Sequence, residues 1–198
     1  MADETPATAV AAEPQTLKSS QLDFTLATEE YEAFVRECAD LSLSIDVPNR
    51  HIQHAAVLTK NILRLSKEKV QILTGTFPEL FFKLIQDDFQ RALLRGVSVQ
   101  VLVVDGELEC EALKKLQSEQ RNLVVYKLQD EMQEEVRASV GHFAVSDCKR
   151  YRIEDIHERK DFTKDPSVKA RASFNNPTGA KNLHEAFQTL LQFATPVN

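Results

Sequence analysis

One stretch of the 198-residue chain gathers the side chains best suited to chemistry: His142-Phe-Ala-Val-Ser-Asp147, Tyr151-Arg152-Ile153-Glu154, and Ala172-Ser173-Phe174-Asn175-Asn176-Pro177. A histidine can attack an electrophile or move a proton near neutral pH. Carboxylates such as Asp147 and Glu154 can orient it, and arginines can hold an anion through charge-assisted hydrogen bonds. Between His142 and Asn182 nine basic residues outnumber six acidic ones, while the whole chain carries -6. This asymmetry points to an anionic ligand near the C-terminal third; a mixed, solvated surface is the plainer explanation. Strand alternation puts Arg152 and Glu154 on one face, where they can pair with each other or with a neighbouring strand.

Other constellations are weaker. His51 and His54 stand three apart on a helix-like segment, a spacing that can share a metal, but no third ligand lies nearby in sequence. His157 sits in the ligand-dense run Glu154-Asp-Ile-His-Glu158, which a charged loop also collects by chance. His184 falls beside the apolar stripe of the last helix and reads as a surface residue. Cys148 has Lys149 and Arg150 beside it, cations that lower a thiol pKa, but no base or second cysteine accompanies it. Neither GxGxxG nor GxxxxGK occurs, so the expectation is no cofactor and no metal.

A composition of 42% hydrophobic and 27% charged residues is that of a globular chain long enough to bury a core. The net charge of -6 argues against a general nucleic-acid binder, which needs surplus Lys and Arg to neutralise phosphates. The three cysteines, Cys38, Cys110 and Cys148, lack CxxC or ligand spacing and suit a reduced, cytoplasmic compartment. A secretion signal and a membrane span are not expected, since no apolar run approaches the necessary length.

Residues 1–18, rich in Ala, Pro, Thr and Glu, read as a disordered tail, and residues 19–44 as an arm made of a short strand and a helix. Leu22, Phe24 and Leu26 alternate like a strand, and Tyr31, Phe34, Val35 and Cys38 share a helical face over 29–41. From residue 45 to 196 periods of two and 3.6 take turns. Strands are expected over 43–47 (closed by Pro48), 70–74, 97–104 and 123–128, and helices over 50–65, 77–94, 107–120 and 130–139. Paired strands follow around Ser146-Asp-Cys148, then a charged loop over 155–169, Phe174 on or just after a last strand, and a closing helix after Gly179. The alternation predicts an α/β fold with a mixed, mostly parallel sheet sandwiched by helices.

Over roughly residues 45 to 194 this order, with a polar strand turning at Asp-Cys-Lys and a Ser-Phe-Asn element leading into a helix, resembles one half-module of the phospholipase D superfamily. In that superfamily a strand carries His-x-Lys and, after four intervening residues, Asp, with a Gly/Ser-x-Asn element following. The His attacks phosphorus, the Lys binds a non-bridging oxygen, the Asp supports, and two modules meet so that a second His protonates the leaving group. Aligning Asp147 with the motif Asp puts Val140 in the nucleophile's place and His142 in the lysine's. Aligning His142 with the nucleophile puts Ala144 in the lysine's place and leaves Asp147 two positions early. Asn175 matches the supporting Asn in kind.

The resemblance therefore implies a degenerate, single-module, bacterial member. It implies a non-catalytic binding or interaction module, homodimeric because the superfamily's active unit joins two modules. It also implies a candidate anion pocket drawn from His142, Asp147, Arg152, Glu154, Arg171 and Asn175. Two alternatives accompany it: a phosphodiesterase or nuclease with a site rearranged around His142, and a regulatory subunit docking a protein partner through the tail or the 155–169 loop.

Overall fold

The computed structural model describes residues 29–106, 108–157, 165 and 167–197. The expected tail, the Leu22–Leu26 strand and most of the charged loop lie outside these residues. The elements are α1 (Glu29–Asp40), β1 (Val47–His51), α2 (Ile52–Leu65), β2 (Lys69–Thr74), α3 (Glu79–Leu94), β3 (Ser98–Val103) and α4 (Glu111–Glu119). They continue with β4 (Leu123–Leu128), α5 (Asp130–Ser139), β5 (Phe143–Ser146), β6 (Arg150–Glu154), β7 (Ser167–Ser173), α6 (Pro177–Leu191) and β8 (Ala194–Pro196).

Among the described residues the strands form one mixed sheet in the order β1-β7-β6-β5-β2-β3-β4-β8. Only the neighbours β2, β3 and β4 pair in parallel; the other pairings are antiparallel. Five strands, β1, β2, β3, β4 and β6, nevertheless point the same way, so the expected bias is one of strand direction more than of neighbour pairing. The cause is local. The β5–β6 hairpin and β7 need no helical crossover, whereas β2-α3-β3-α4-β4 is built from crossover helices, which keep successive strands parallel.

Burial follows the pleat. Val99, Val101 and Val103 of β3 face α2, α3 and α4, together with Val70, Ile72, Phe82, Ile85 and Phe89. Leu102 and Val104 face the other way, toward Val136 of α5 and Phe187 and Leu190 of α6. Helix α1 adds Tyr31, Phe34, Val35 and Cys38 to a cluster with Val47, Leu58, Ile62, Ala172 and Phe174. The helical part of the segment expected as an arm thus packs against α2, β1 and β7.

Several boundaries differ from the sequence expectation. The strand expected over 43–47 is displaced: residues 43–46 are not strand, and β1 starts at Val47 and runs through Pro48 to His51. β1 is a sheet edge, where a missing N–H is tolerated, and the Pro48 carbonyl accepts from the Tyr31 hydroxyl at 3.0 Å. Helix α4 starts at Glu111, later than expected. Gly179 lies inside α6, which begins at Pro177 and is capped by the Asn176 side chain accepting from the Gly179 N–H at 2.9 Å. Strand β8 carries no alternation of its own and follows only from its pairing with β4. No described helix is long and apolar enough to cross a membrane.

Candidate functional site

A cavity of about 520 Å3 opens where the parallel strands β2 and β3 end, between α2 and the start of α3. Crevices at the carboxyl ends of parallel strands are where open α/β sheets bind ligands, because the chain leaves the sheet there and exposes backbone and loop side chains. The apolar wall comes from Ile52, Ala55, Ile72, Phe77, Leu80 and Phe81. The polar wall comes from Thr74 at the end of β2 and Thr76 after it, Asp105 and Glu109 after β3, Arg137 of α5, and His142, Arg152, Glu154 and His157 around the β5–β6 hairpin.

The hairpin register builds the polar wall. Ala144 lies opposite Arg152, and the Glu154 N–H donates to the His142 carbonyl at 2.8 Å, so His142 and Glu154 face each other across the strand ends. Close approach requires Gly141, where a Cβ would fall 2.0 Å from the Glu154 carbonyl oxygen. Gly75, just after β2, has a similar role: a Cβ there would lie 2.9 Å from Asp105 Oδ2 and 3.5 Å from the His142 ring. These two glycines carry the local signal of the site: Gly141 lets the hairpin strands close, and Gly75 leaves room for the His142 ring.

Glu154 is the hub. Arg152 Nη2 donates to Glu154 Oε1 at 2.6 Å, while its Nε donates to Asn49 Oδ1 at 2.7 Å. His142 Nδ1 lies 3.3 Å, and His157 Nε2 3.0 Å, from Glu154 Oε2. The two imidazoles meet nearly edge-on, with centroids 5.2 Å apart. Burial alone would raise the Glu154 carboxyl pKa. The Arg152 charge and the hydrogen bonds from His142 and His157 outweigh it and hold the group well below the usual carboxylate range. Asp105 is similarly engaged, accepting from Arg137 Nε and Nη2 at 2.8 and 2.6 Å.

Of the six pocket residues drawn from the sequence, the fold brings His142, Arg152 and Glu154 together. The other three lie elsewhere. Asp147 occupies the opposite end of the hairpin, in a left-handed turn with φ of 52°. There its carboxylate accepts from the backbone N–H groups of Lys67, Glu68 and Lys69 at 3.0 to 3.1 Å. Arg171 pairs with Ile153 across β6–β7, so its side chain leaves from the other face, where it is exposed, 3.9 Å from Asp46. Asn175 follows β7 at the turn end, next to Asn176, whose N–H donates to the Lys149 carbonyl. Val140 is the C-cap residue of α5 and packs with the α6 side of the core.

Asn49, Asp105, Arg137 and His157 complete the site and were not singled out as pocket residues from sequence. His157 follows Glu154 by three positions, a spacing visible in the chain; its meeting with His142 depends on the hairpin. The other histidine pair is structural. His51 Nδ1 accepts from the Gln53 N–H to cap α2, and His54 is buried, stacked on Tyr31 at 4.0 Å.

No family model matches the sequence, and no curated protein is significantly similar to it. Solved structures are similar. Nuc from Salmonella typhimurium, a phospholipase D family member, superposes with a TM-score of 0.59 at 14% identity, over 78% of this chain and 99% of that one. The fold is phospholipase D-like. NucT from Helicobacter pylori shares it, with a TM-score of 0.59 at 13% identity, over 77% of this chain and 99% of that one. So does TrmBL2, an archaeal chromatin protein with a novel mode of DNA binding, with a TM-score of 0.55 at 15% identity. That match covers 85% of this chain, which spans 61% of the chromatin protein's chain. Identities this low carry the phospholipase D-like architecture and nothing further.

Proposed function

We propose that this protein is a non-catalytic binding module of phospholipase D-like fold that takes a small anionic ligand in the cavity beside His142. The supporting observation is Ala144. With His142 in the nucleophile's place, the residue that should bind a non-bridging phosphoryl oxygen is a buried methyl group packed into the core under α2 and α3. A methyl group cannot stabilise developing charge, which is where most of the rate of phosphoryl transfer originates. The cavity keeps Arg152, whose Nε and Nη2 are committed to Asn49 and Glu154, and threonines 74 and 76 to receive an anion.

Calorimetric titration with inorganic phosphate tests the binding. Saturable binding to wild-type protein, weakened in His142→Ala, is expected; heat changes no larger than buffer dilution would remove the anion from the proposal. The nearest competing reading is a phosphodiesterase rearranged around His142. It has one observation in its favour: Glu154 engages Nδ1, and the Nε2 edge faces Gly75 at the cavity. DNA binding in one neighbour of the fold weighs against the expectation of no nucleic acid that the -6 charge supports, and gel retardation of duplex DNA at physiological salt decides between them.

We also infer a homodimer, since the described residues form one module of the phospholipase D-like fold and the superfamily's active unit joins two. Leu80 at the cavity wall and Ile156 beside His157 are apolar and about half exposed, which suits a covered mouth. Light scattering at high protein concentration would read twice the monomer mass; a strict monomer would end that inference.

A further inference from the structure

Two imidazole nitrogens and one carboxylate oxygen converge at the mouth of the β5–β6 hairpin. His142 Nδ1 and His157 Nε2 approach the same Glu154 Oε2, at 3.3 and 3.0 Å, and the three ligand atoms all lie within 4.8 Å of one another. We propose that His142, Glu154 and His157 form a binding site for a divalent first-row cation of the zinc type. The proposal goes beyond the anion pocket and does not depend on what else occupies the cavity.

Three features carry it. The first is the donor set: two imidazoles with one carboxylate is a ligand combination such cations take in open sites, where a fourth position remains for solvent or a bound molecule. The second is spacing. Tetrahedral bonds of about 2.0–2.2 Å to N and O place ligand atoms roughly 3.3–3.5 Å from one another. The two N···O separations already sit near that edge length, so closing the third edge needs a small rotation of one imidazole. The third is outer support. Arg152 fixes Oε1 at 2.6 Å and is itself held by Asn49, which leaves Oε2 as the oxygen presented to both histidines. A cation accepts only the carboxylate and neutral imidazole lone pairs, and this outer shell orients the carboxylate for that role.

All three side chains line the cavity, so a fourth coordination position opens into it. Elsewhere among the described residues no other group of three such side chains comes together. The site combines one ligand before β5 with two from the end of β6 and the residues that follow it.

Full-length protein, stripped with a chelator and dialysed, is titrated with Zn2+ by calorimetry, and with Co2+ while visible absorption is recorded. One equivalent should bind, with Co2+ giving the intense bands of a four-coordinate rather than a six-coordinate ion. His157→Ala should weaken binding about tenfold or more without changing the far-ultraviolet circular dichroism, since its side chain lies outside the core. Glu154→Gln should also weaken binding; because it strands the buried Arg152 charge, its titration is made where circular dichroism shows the variant folded. Cys148→Ser, which removes the exposed thiol, should leave affinity unchanged. Absence of stoichiometric binding by wild-type protein, equal affinity in folded His157→Ala, or loss of binding in Cys148→Ser would each overturn the proposal. Phosphate binding is measured separately on the stripped protein, so failure of the anion pocket and failure of the metal site give different results.

Discussion

Replacing Arg152 with methionine should be among the most costly single changes in the molecule. Its side chain is 6% exposed and that of its partner Glu154 is 10% exposed. Methionine preserves the packing of the aliphatic stem but removes the charge that offsets a buried carboxylate. Removing one member of a buried pair costs about 3–5 kcal/mol, because the remaining charge stays desolvated. Asn49 Oδ1 also loses its donor; an unsatisfied buried acceptor costs about 1–3 kcal/mol. The two penalties arise from one side chain and overlap, so about 4 kcal/mol is the working figure. For a domain of this size that corresponds to a fall in Tm of roughly 8–16 °C. Urea unfolding in chelator-containing buffer, which removes any bound cation, measures it directly. The double variant Arg152→Met with Glu154→Gln should recover about 2 kcal/mol of the loss, since glutamine carries no charge to strand. A single-variant loss below about 1 kcal/mol, the range of exposed ion pairs, would refute the argument and show that water reaches Glu154 freely.

Asp147→Ala should destabilise by about 2–3 kcal/mol in the same urea assay, because three backbone N–H groups and Arg150 lose a charged acceptor, and it should leave phosphate binding unaltered. Gly141→Ala forces a methyl group into the Glu154 carbonyl and should cost about 2–3 kcal/mol, or shift the hairpin and abolish zinc binding. In folded protein iodoacetamide should label Cys148 alone, as seen by mass spectrometry, with all three cysteines labelled in denaturant. Burial pushes the Cys38 and Cys110 thiols up to about 11 and about 12, leaving them protonated and enclosed.

The alternation of β3 and the 3.6-residue periods of α2 and α3 made the α/β class readable, because buried elements repeat their apolar residues at the period of their own geometry. What one chain could not display was adjacency across the sheet. Arg152 and Glu154 were visible as same-face neighbours, and their pairing is what the fold shows. Asp147 looked like a site residue because its chemistry fits one; its actual task, holding the backbone of Lys67 to Lys69, depends on β5 lying beside β2. His157 lay in a ligand-dense run, yet its meeting with His142 required the hairpin to bring residues on either side of it together. Edge position explains Pro48 inside β1, another property that belongs to the sheet and not to the segment.

Turnover of a simple phosphodiester, bis(p-nitrophenyl) phosphate, by purified wild-type protein, stripped and zinc-loaded, alongside His142→Ala, tests the non-catalytic reading most directly. The expected result is release of nitrophenol at the rate of buffer alone in every sample, even where phosphate or zinc binds. Release above buffer that disappears in His142→Ala would contradict it, and would establish a working phosphodiesterase centre without the missing lysine.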